Sequence, residues 1–368
     1  MLTMNDEGYM RLALQLAEAA EGQTEVNPVV GCVVVKHGRI VGMGAHLRRG
    51  EAHAEIHALN MAGGDAEGST VYVTLEPCSH YGRTPPCAER LLRSNVAKVV
   101  VACTDPNPLV AGQGIAMLRA SGVDVQAGVL EQEATRVNER FFSFIRTGRP
   151  FVTLKSACSL DGKMATASGD SKWISNTLAR EAVHEMRHRH QAIMVGVETA
   201  LADDPLLTTR LAVPALQPVR IVVDSRLRLP DTSKVLSGME QAPTWILTTE
   251  RAPQQRVQAL ERLGAVVVRC GDGERVDLPS AMRMLAARGI GSVLLEGGSR
   301  LNGAMLEAGL VNKVELFYAP LVIGGADAPA LFGFAGFDKV SEAIRLERLH
   351  AEMIGDNVRM SGYPSNVV

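Results

Sequence analysis

Gly50-Glu51-Ala52-His53-Ala54-Glu55-Ile56-His57-Ala58 and, beyond a strand-like run at Val71–Leu75, Glu76-Pro77-Cys78-Ser79-His80-Tyr81-Gly82-Arg83-Thr84-Pro85-Pro86-Cys87 decide the reading of this chain. His53, Cys78 and Cys87 offer one nitrogen and two thiolates, a set that leaves the fourth position of a tetrahedral zinc ion open for water. Water held there loses a proton near neutral pH and becomes a strong nucleophile. Glu55, next but one to the nitrogen donor, is placed to shuttle that proton as general acid and base. Both donor-bearing segments read as turns feeding helices, one starting near Ala54 and one near Cys87. A helix N-terminus favours thiolate over thiol, so the local dipoles suit these donors.

Working outward, a helical pattern covers Asp6 to Ala20, with Met10, Leu14 and Ala17 on one side. Val29–Val35 and Ile40–Gly44 read as strands around the turn Lys36-His37-Gly38-Arg39, and Lys98–Ala102 as another before Asp105-Pro106-Asn107-Pro108. A single helix from Glu131 to Arg146, then Thr147-Gly148-Arg149-Pro150, closes this half and puts a boundary near residue 148. Phe151–Ala157 restarts as a strand. Further strands are expected at 192–196, 219–224, 244–249, 265–269 and 292–296, with helices at 177–189, 254–263, 279–288 and 299–308. Val314–Tyr318, Ile344–Leu349 and Val358–Gly362 read as late strands. Such alternation predicts layered α/β domains.

A length of 368 residues suggests two domains, and 46% hydrophobic with 21% charged residues fits globular cores. The net charge of −2 argues against nucleic acid or an anionic membrane as partner. The longest apolar runs are strand-length, too short to span a bilayer, and no signal peptide is apparent. A cytoplasmic location is therefore the expectation. Six cysteines do not make a disulfide scaffold, and Cys32, Cys103, Cys158 and Cys270 lie in apolar runs that suit buried packing.

His-x-Glu followed by Pro-Cys and a second cysteine is the pattern of zinc deaminases acting on amino-bearing heterocycles. Cys87 falls nine positions after Cys78, wider than the common Cys-x-x-Cys. A structural zinc site would close its sphere with a fourth protein ligand; His57 and His80 are the nearby candidates, and neither is expected to bind metal. A base editor acting on transfer RNA predicts a basic surface and aromatic platforms, against the 4% aromatic content and slight negative charge here. In the second half, Glu296-Gly297-Gly298 follows a strand and opens a helix, a turn that suits a pyrophosphate but lacks the full dinucleotide fingerprint.

The zinc segments, together with Val26-Asn27-Pro28-Val29-Val30-Gly31-Cys32 and the Ser79–Pro86 insertion between the cysteines, resemble the bifunctional deaminase/reductase family of riboflavin biosynthesis. Lys155-Ser156-Ala157-Cys158-Ser159-Leu160-Asp161-Gly162-Lys163, Gly169–Ser175 and Gly196–Thr208 extend the resemblance over nearly the whole chain. It implies a cytidine-deaminase-like three-layer α/β/α domain over 1–147 and a dihydrofolate-reductase-like α/β domain over 148–368. It further implies zinc on His53, Cys78 and Cys87, with Glu55 catalytic, and substrate contacts from Asn27, His80, Arg83 and Thr84. In the second domain it implies NADPH held by Ala157, Trp173, Thr199, Asp203, Ser225, Gly298, Ser299, Arg300, Leu301, Asn302, Gly303 and Ala304. Ser171, Arg187, Leu207, Arg210 and Glu296 would hold a phosphorylated sugar. The implied partners are small phosphorylated pyrimidines and other copies of the chain. A zinc deaminase carrying a second half that binds a nucleotide or oligomerises without catalysis is the competing expectation.

Overall fold

A computed structural model describes residues 4–81, 85–108, 110–213 and 215–365. The chain divides into two units, Met1–Gly148 and Arg149–Val368.

In the first unit the elements are α1 (Asp6–Ala19), β1 (Gly31–Lys36), β2 (Arg39–Ala45), α2 (Ala54–Ala62), β3 (Thr70–Leu75), α3 (Cys87–Arg93), β4 (Lys98–Cys103), α4 (Gln113–Ala120), β5 (Asp124–Ala127), α5 (Glu131–Val137) and α6 (Glu139–Thr147). The sheet order is β2-β1-β3-β4-β5, with β1 antiparallel to both neighbours and β3, β4 and β5 parallel. Because strand side chains alternate between faces, one sheet serves two cores. Cys32, Val34, Val71, Val73, Val99 and Val101 pack with α2, α3 and α4. Val33, Val35, Tyr72, Val100 and Ala102 pack on the opposite face with α1, α5 and α6. Three layers result. The β1–β2 hairpin turns at His37 and Gly38, both with positive φ (50° and 73°), as a tight two-residue turn requires.

The helix expected from Glu131 to Arg146 is two helices. They break at Asn138, whose backbone leaves the helical range at φ −103°, ψ 21°. The break has a physical reason: the buried Asn138 amide accepts from the Val29 N–H and donates to the Val29 carbonyl, both at 2.9 Å. This pairing ties the α5–α6 junction to the segment leading into β1. Periodicity spanned the junction because both helices keep an apolar side.

The second unit contains β6 (Phe151–Ser159), α7 (Thr177–His188), β7 (Ala192–Gly196), α8 (Val197–Asp203), β8 (Val219–Val223), β9 (Thr244–Thr248), α9 (Gln254–Arg262), β10 (Val266–Arg269), α10 (Leu278–Ala287), β11 (Ser292–Leu295), α11 (Ser299–Glu307), β12 (Lys313–Ala319), β13 (Leu346–Ile354) and β14 (Asn357–Pro364). Nine strands run in the order β10-β9-β8-β7-β11-β6-β12-β14-β13. Pairings from β10 through β12 are parallel, and β14 and β13 add antiparallel at one edge. One face packs α10 and α11 against Leu154, Met194, Ile221 and Leu295. The other packs α8 and α9 against Ile193, Val195, Val222 and Ile246, with α7 over Leu294 and Phe317.

The late strand expected at Ile344–Leu349 instead runs from Leu346 to Ile354. Almost all of its residues are exposed, so no buried face imposed an alternation that could be read. The sequence reading also passed over β5, α4 and α8, all short elements. Among the described residues, no helix is long and apolar enough to cross a membrane.

Replacing Asn138 with Ala strands a buried N–H and C=O at Val29, which is only 7% exposed. A loss of about 2–4 kcal/mol is expected from two orphaned main-chain groups, read as a lower urea midpoint for the first unit with an unchanged slope.

Candidate metal centre and cationic cleft

Three separate parts of the first unit bring His53, Cys78 and Cys87 together, their ligand atoms all within 4.8 Å of one another. His53 is the residue immediately before α2, held in extended backbone (φ −76°, ψ 166°). Cys87 opens α3, and Cys78 is the third residue beyond β3. His53 Nδ1 lies 3.2 Å from Cys87 Sγ and 3.6 Å from Cys78 Sγ. The Cys87 backbone N–H donates to Cys78 Sγ at 3.3 Å. Hydrogen bonding from the Cys87 thiol holds the Cys78 thiol well below the usual range, while the same contact and burial push Cys87 up. One imidazole and two thiols, one already stabilised as thiolate, fit a zinc ion, and no fourth His, Cys, Asp or Glu joins the cluster among the described residues.

Glu55 is 3% exposed, and its carboxyl meets the Cys87 thiol. Burial pushes its pKa up to about 6, against the opposing pull of His53. A carboxyl poised there can both take and release a proton near neutral pH.

Two close backbone approaches set the donors. A Cβ on Gly42 would stand 2.1 Å from the Ala58 carbonyl oxygen, and one on Gly44 would stand 2.5 Å from that of Ala54. Only glycine lets β2 lie so near α2, and His53 sits at the end of that contact. Below Cys78, the buried Glu76 carboxylate accepts four main-chain N–H groups. Oε1 takes those of Gly114 (2.9 Å) and Ile115 (3.2 Å), and Oε2 those of Gly112 (2.9 Å) and Asp105 (3.3 Å). These include donors that the first turn of α4 leaves without helical partners. An anion at a helix start is also favoured by the dipole.

Asn27 donates its amide to Nε2 of His46 at 3.3 Å, and the His46 Nδ1–H reaches the Ala52 carbonyl at 3.3 Å. Burial lowers the His46 pKa, in keeping with the neutral ring this arrangement needs. The His46 and His53 rings meet edge-on, with centroids 5.2 Å apart, so Asn27 joins the donor cluster through His46. His80 is exposed. Arg83 and Thr84 lie outside the described residues.

In the second unit a cleft of about 600 Å³ opens beside β6, α7, α8 and the start of α11. Ala157, Trp173, Thr199, Asp203 and Gly298 line it, as do Ser171, Arg187, Leu207, Arg210 and Glu296. Ser225 and the run Ser299–Ala304 are not among its lining residues. Ser225 Oγ accepts from the Val276 N–H, and Asn302 is fully buried with its amide on the Leu331 carbonyl. Arg187 grips Glu296 through two bonds, Nε to Oε1 at 2.6 Å and Nη2 to Oε2 at 3.0 Å. Burial pushes the Glu296 carboxyl up, but Arg187, Lys155 and His184 outweigh it and hold the pKa at about 2. Burial lowers the pKa of Lys155, with Arg187 acting in the same direction and Glu296 opposing. Trp173 is 73% exposed, its ring stacked under the Arg180 guanidinium at 4.8 Å. Lys155, Arg180, Arg187 and Arg210 give the cleft a cationic lining suited to phosphate groups.

Comparison with known proteins identifies both units. Residues 3–103 match the cytidine and deoxycytidylate deaminase zinc-binding region, and residues 150–360 match the RibD C-terminal domain. The class is therefore a deaminase-type zinc-binding unit joined to a RibD-type C-terminal unit. The riboflavin biosynthesis protein RibD of Bacillus amyloliquefaciens is 46% identical over 361 residues, covering 98% of this chain and 97% of that protein. That of Escherichia coli K12 is 41% identical over 367 residues, covering 96% and 98%. Acinetobacter baumannii RibD superposes with a TM-score of 0.89 at 39% identity, over 98% of this chain and 99% of that one. A Thermotoga maritima diaminohydroxyphosphoribosylaminopyrimidine deaminase/5-amino-6-(5-phosphoribosylamino)uracil reductase gives 0.86 at 35% identity, over 98% of each. The chain belongs to the RibD family. Its two units have the cytidine-deaminase-like and dihydrofolate-reductase-like folds.

Sequence reasoning gave no role to His46, Glu76, Lys155 or His184. Lys155 carried a signal, a lone charge inside the apolar β6 run, and so did Glu76, an acid directly after the apolar β3. His46 carried none, because no local motif links it to Asn27, 19 positions away. Glu76→Gln replaces one accepting oxygen with an amide that faces two main-chain donors. We expect a loss of about 2–3 kcal/mol in stability and faster release of bound zinc to a chelator, followed by a colorimetric zinc indicator.

Proposed function

We propose that the protein catalyses two consecutive steps of riboflavin biosynthesis, with the deaminase activity in residues 1–147 and the reductase activity in 148–368. The first removes the ring amine of 2,5-diamino-6-(5-phosphoribosylamino)pyrimidin-4-one by hydrolysis. The second reduces the ribosyl group to ribityl with NADPH. The observation that carries the reading is the convergence of His53, Cys78 and Cys87 beside the buried Glu55, supported by full-length similarity to RibD proteins.

His53, Cys78 and Cys87 would hold zinc, which when bound would supply Lewis acidity and a water of lowered pKa. Glu55 takes the proton that the attacking water loses and returns it to the departing amine, so that a C–O bond replaces the C–N bond and ammonia leaves. A pKa of about 6 suits both halves of that exchange. Asn27, oriented by His46, offers its amide oxygen to the pyrimidine. His80, Arg83 and Thr84, from the loop between the two cysteines, complete this substrate set.

In the second unit NADPH, when bound, would supply the hydride, and the residues of the protein would bind and orient it. Ala157, Trp173, Thr199, Asp203 and Gly298 take the cofactor side of the cleft. The same reading assigns Ser225 and Ser299–Ala304 to the cofactor although they lie outside the lining of the cleft; of these, Ser299, Arg300 and Leu301 carry the first-turn N–H groups of α11 that suit a pyrophosphate. Ser171, Arg187, Leu207, Arg210 and Glu296 take the sugar phosphate. A cytoplasmic location and a homo-oligomeric state complete the reading.

Glu55→Gln should retain zinc yet lose ammonia release by roughly 10²-fold or more, in line with removal of a general acid–base group. Near-normal release would remove Glu55 from the mechanism. Trp173→Ala should weaken NADPH binding by about tenfold, about 1.4 kcal/mol, and leave ammonia release intact. The deciding experiment supplies the diaminopyrimidine ribosyl phosphate and NADPH together, following ammonia and nicotinamide absorbance. Ammonia followed by NADPH oxidation supports both activities. Ammonia alone would leave the second unit a binding module, and no ammonia from zinc-loaded protein would overturn the assignment.

A further inference from the structure

Leu206 to Arg210 carries two of the residues assigned to the sugar phosphate, yet it belongs to no helix or strand. Among the described residues, its main chain is held entirely by side chains. Arg220, a buried residue of β8, donates to the Leu206 carbonyl, and Arg187 Nη1 to that of Thr208 at 3.0 Å. The Gln217 amide pairs with Thr209 on both sides, accepting from its N–H at 2.8 Å and donating to its carbonyl at 3.0 Å. His184 Nδ1 accepts from the Arg210 N–H at 3.2 Å. Within the same segment Leu207 sits at φ 51°, a conformation that costs a non-glycine residue on the order of 1–3 kcal/mol and persists only where the surroundings impose it.

We infer that His184 and Gln217 are positioning residues of this cleft, fixing the Thr208–Arg210 main chain so that Arg210 presents its guanidinium to an anionic sugar phosphate. The inference rests on the reductase reading of the second unit. His184 and Arg187 are three residues apart on α7, so they share one helix face and seize carbonyl and N–H at alternate positions of the segment. His184 performs this only as a neutral ring with Nδ1 free to accept. Burial first, then the cations of Arg187, Arg210 and Lys155, keep it neutral, with Glu296 opposing. A protonated ring would lose the bond and add another cation to the cleft. Gln217 contributes what a neighbouring strand would, because its amide offers one donor and one acceptor to one residue. The two side chains therefore substitute for a sheet edge, and the order of this lip depends on them.

The test uses the full-length enzyme with NADPH and the deaminated ribosyl phosphate. His184→Leu and Gln217→Leu should each raise KM for the ribosyl phosphate about tenfold, with kcat and KM for NADPH within about twofold of the parent. His184→Asn, whose amide oxygen can replace Nδ1, should recover most of the lost affinity. In an Arg210→Ala background, His184→Leu should add nothing further, since the two act as one unit. Additive effects in that background, or an equal loss of NADPH affinity, would overturn the inference. Calorimetric titration with inorganic phosphate separates the two readings. Weaker phosphate binding by His184→Leu than by the parent supports the positioning role even if the parent fails to oxidise NADPH. Equal phosphate binding refutes it whatever the turnover.

Discussion

The Glu76 carboxylate and its four main-chain N–H partners form the contact on which the metal centre depends. Cys78 follows it by two residues, in a loop with no regular structure of its own. Through Glu76 that loop is bolted to the start of α4, and a Cβ at Gly114 would come 1.9 Å from the Pro77 carbonyl oxygen. The loop therefore has one position available, and Cys78 inherits it. His53 gains the same certainty from the glycine-mediated approach of α2 to β2. A donor set needs sub-ångström definition to favour one metal geometry, and here two backbone contacts provide it before any ion arrives.

Two buried carboxyls show how the environment divides labour. Glu55 is buried against the Cys87 thiol with His53 as its counter-charge, and burial wins, leaving its pKa near 6. Glu296 is a little more open, its side chain 12% exposed, but a bidentate arginine and Lys155 reverse the outcome, leaving it near 2. The first is poised to take and release a proton near neutral pH. The second is a fixed anion that keeps Arg187 in place while α7 and the segment beyond Leu206 close around it. The residue type alone distinguishes neither; the partner does.

Much of this was legible in the sequence because the signals were local. The donors, Glu55 and most of the helix and strand order follow from short motifs and from alternation between apolar and polar residues. What escaped was set by contacts between distant positions. Asn138 breaks a helix for the sake of Val29, a residue 109 positions away. His46 orients Asn27 across the end of β2. For another reason, β13 was read only over its first residues: water covers nearly all of it, so no alternation marks its extent. In the cleft, the ten lining residues expected from family resemblance do converge, whereas Ser225 and Ser299–Ala304 lie outside the lining. Lone arginines such as Arg187 and Arg210 have no spacing rule to announce them; they acquire meaning from the carboxylate or the carbonyl they meet.

The position of β6 bears on how the protein is made. This strand begins the second unit, yet its partners in the sheet are β11 and β12, contributed by residues 292–295 and 313–319. During synthesis an apolar nine-residue segment emerges well before either neighbour has left the ribosome. Until then its main-chain groups have only water or transient partners, and long-range parallel pairing closes slowly. The first unit has all of its strands by residue 127 and carries no such debt. The nascent chain thus passes through a stage with one finished unit and an unpaired sticky strand, the stage at which a chaperone, or a shortage of one, decides the yield of active enzyme.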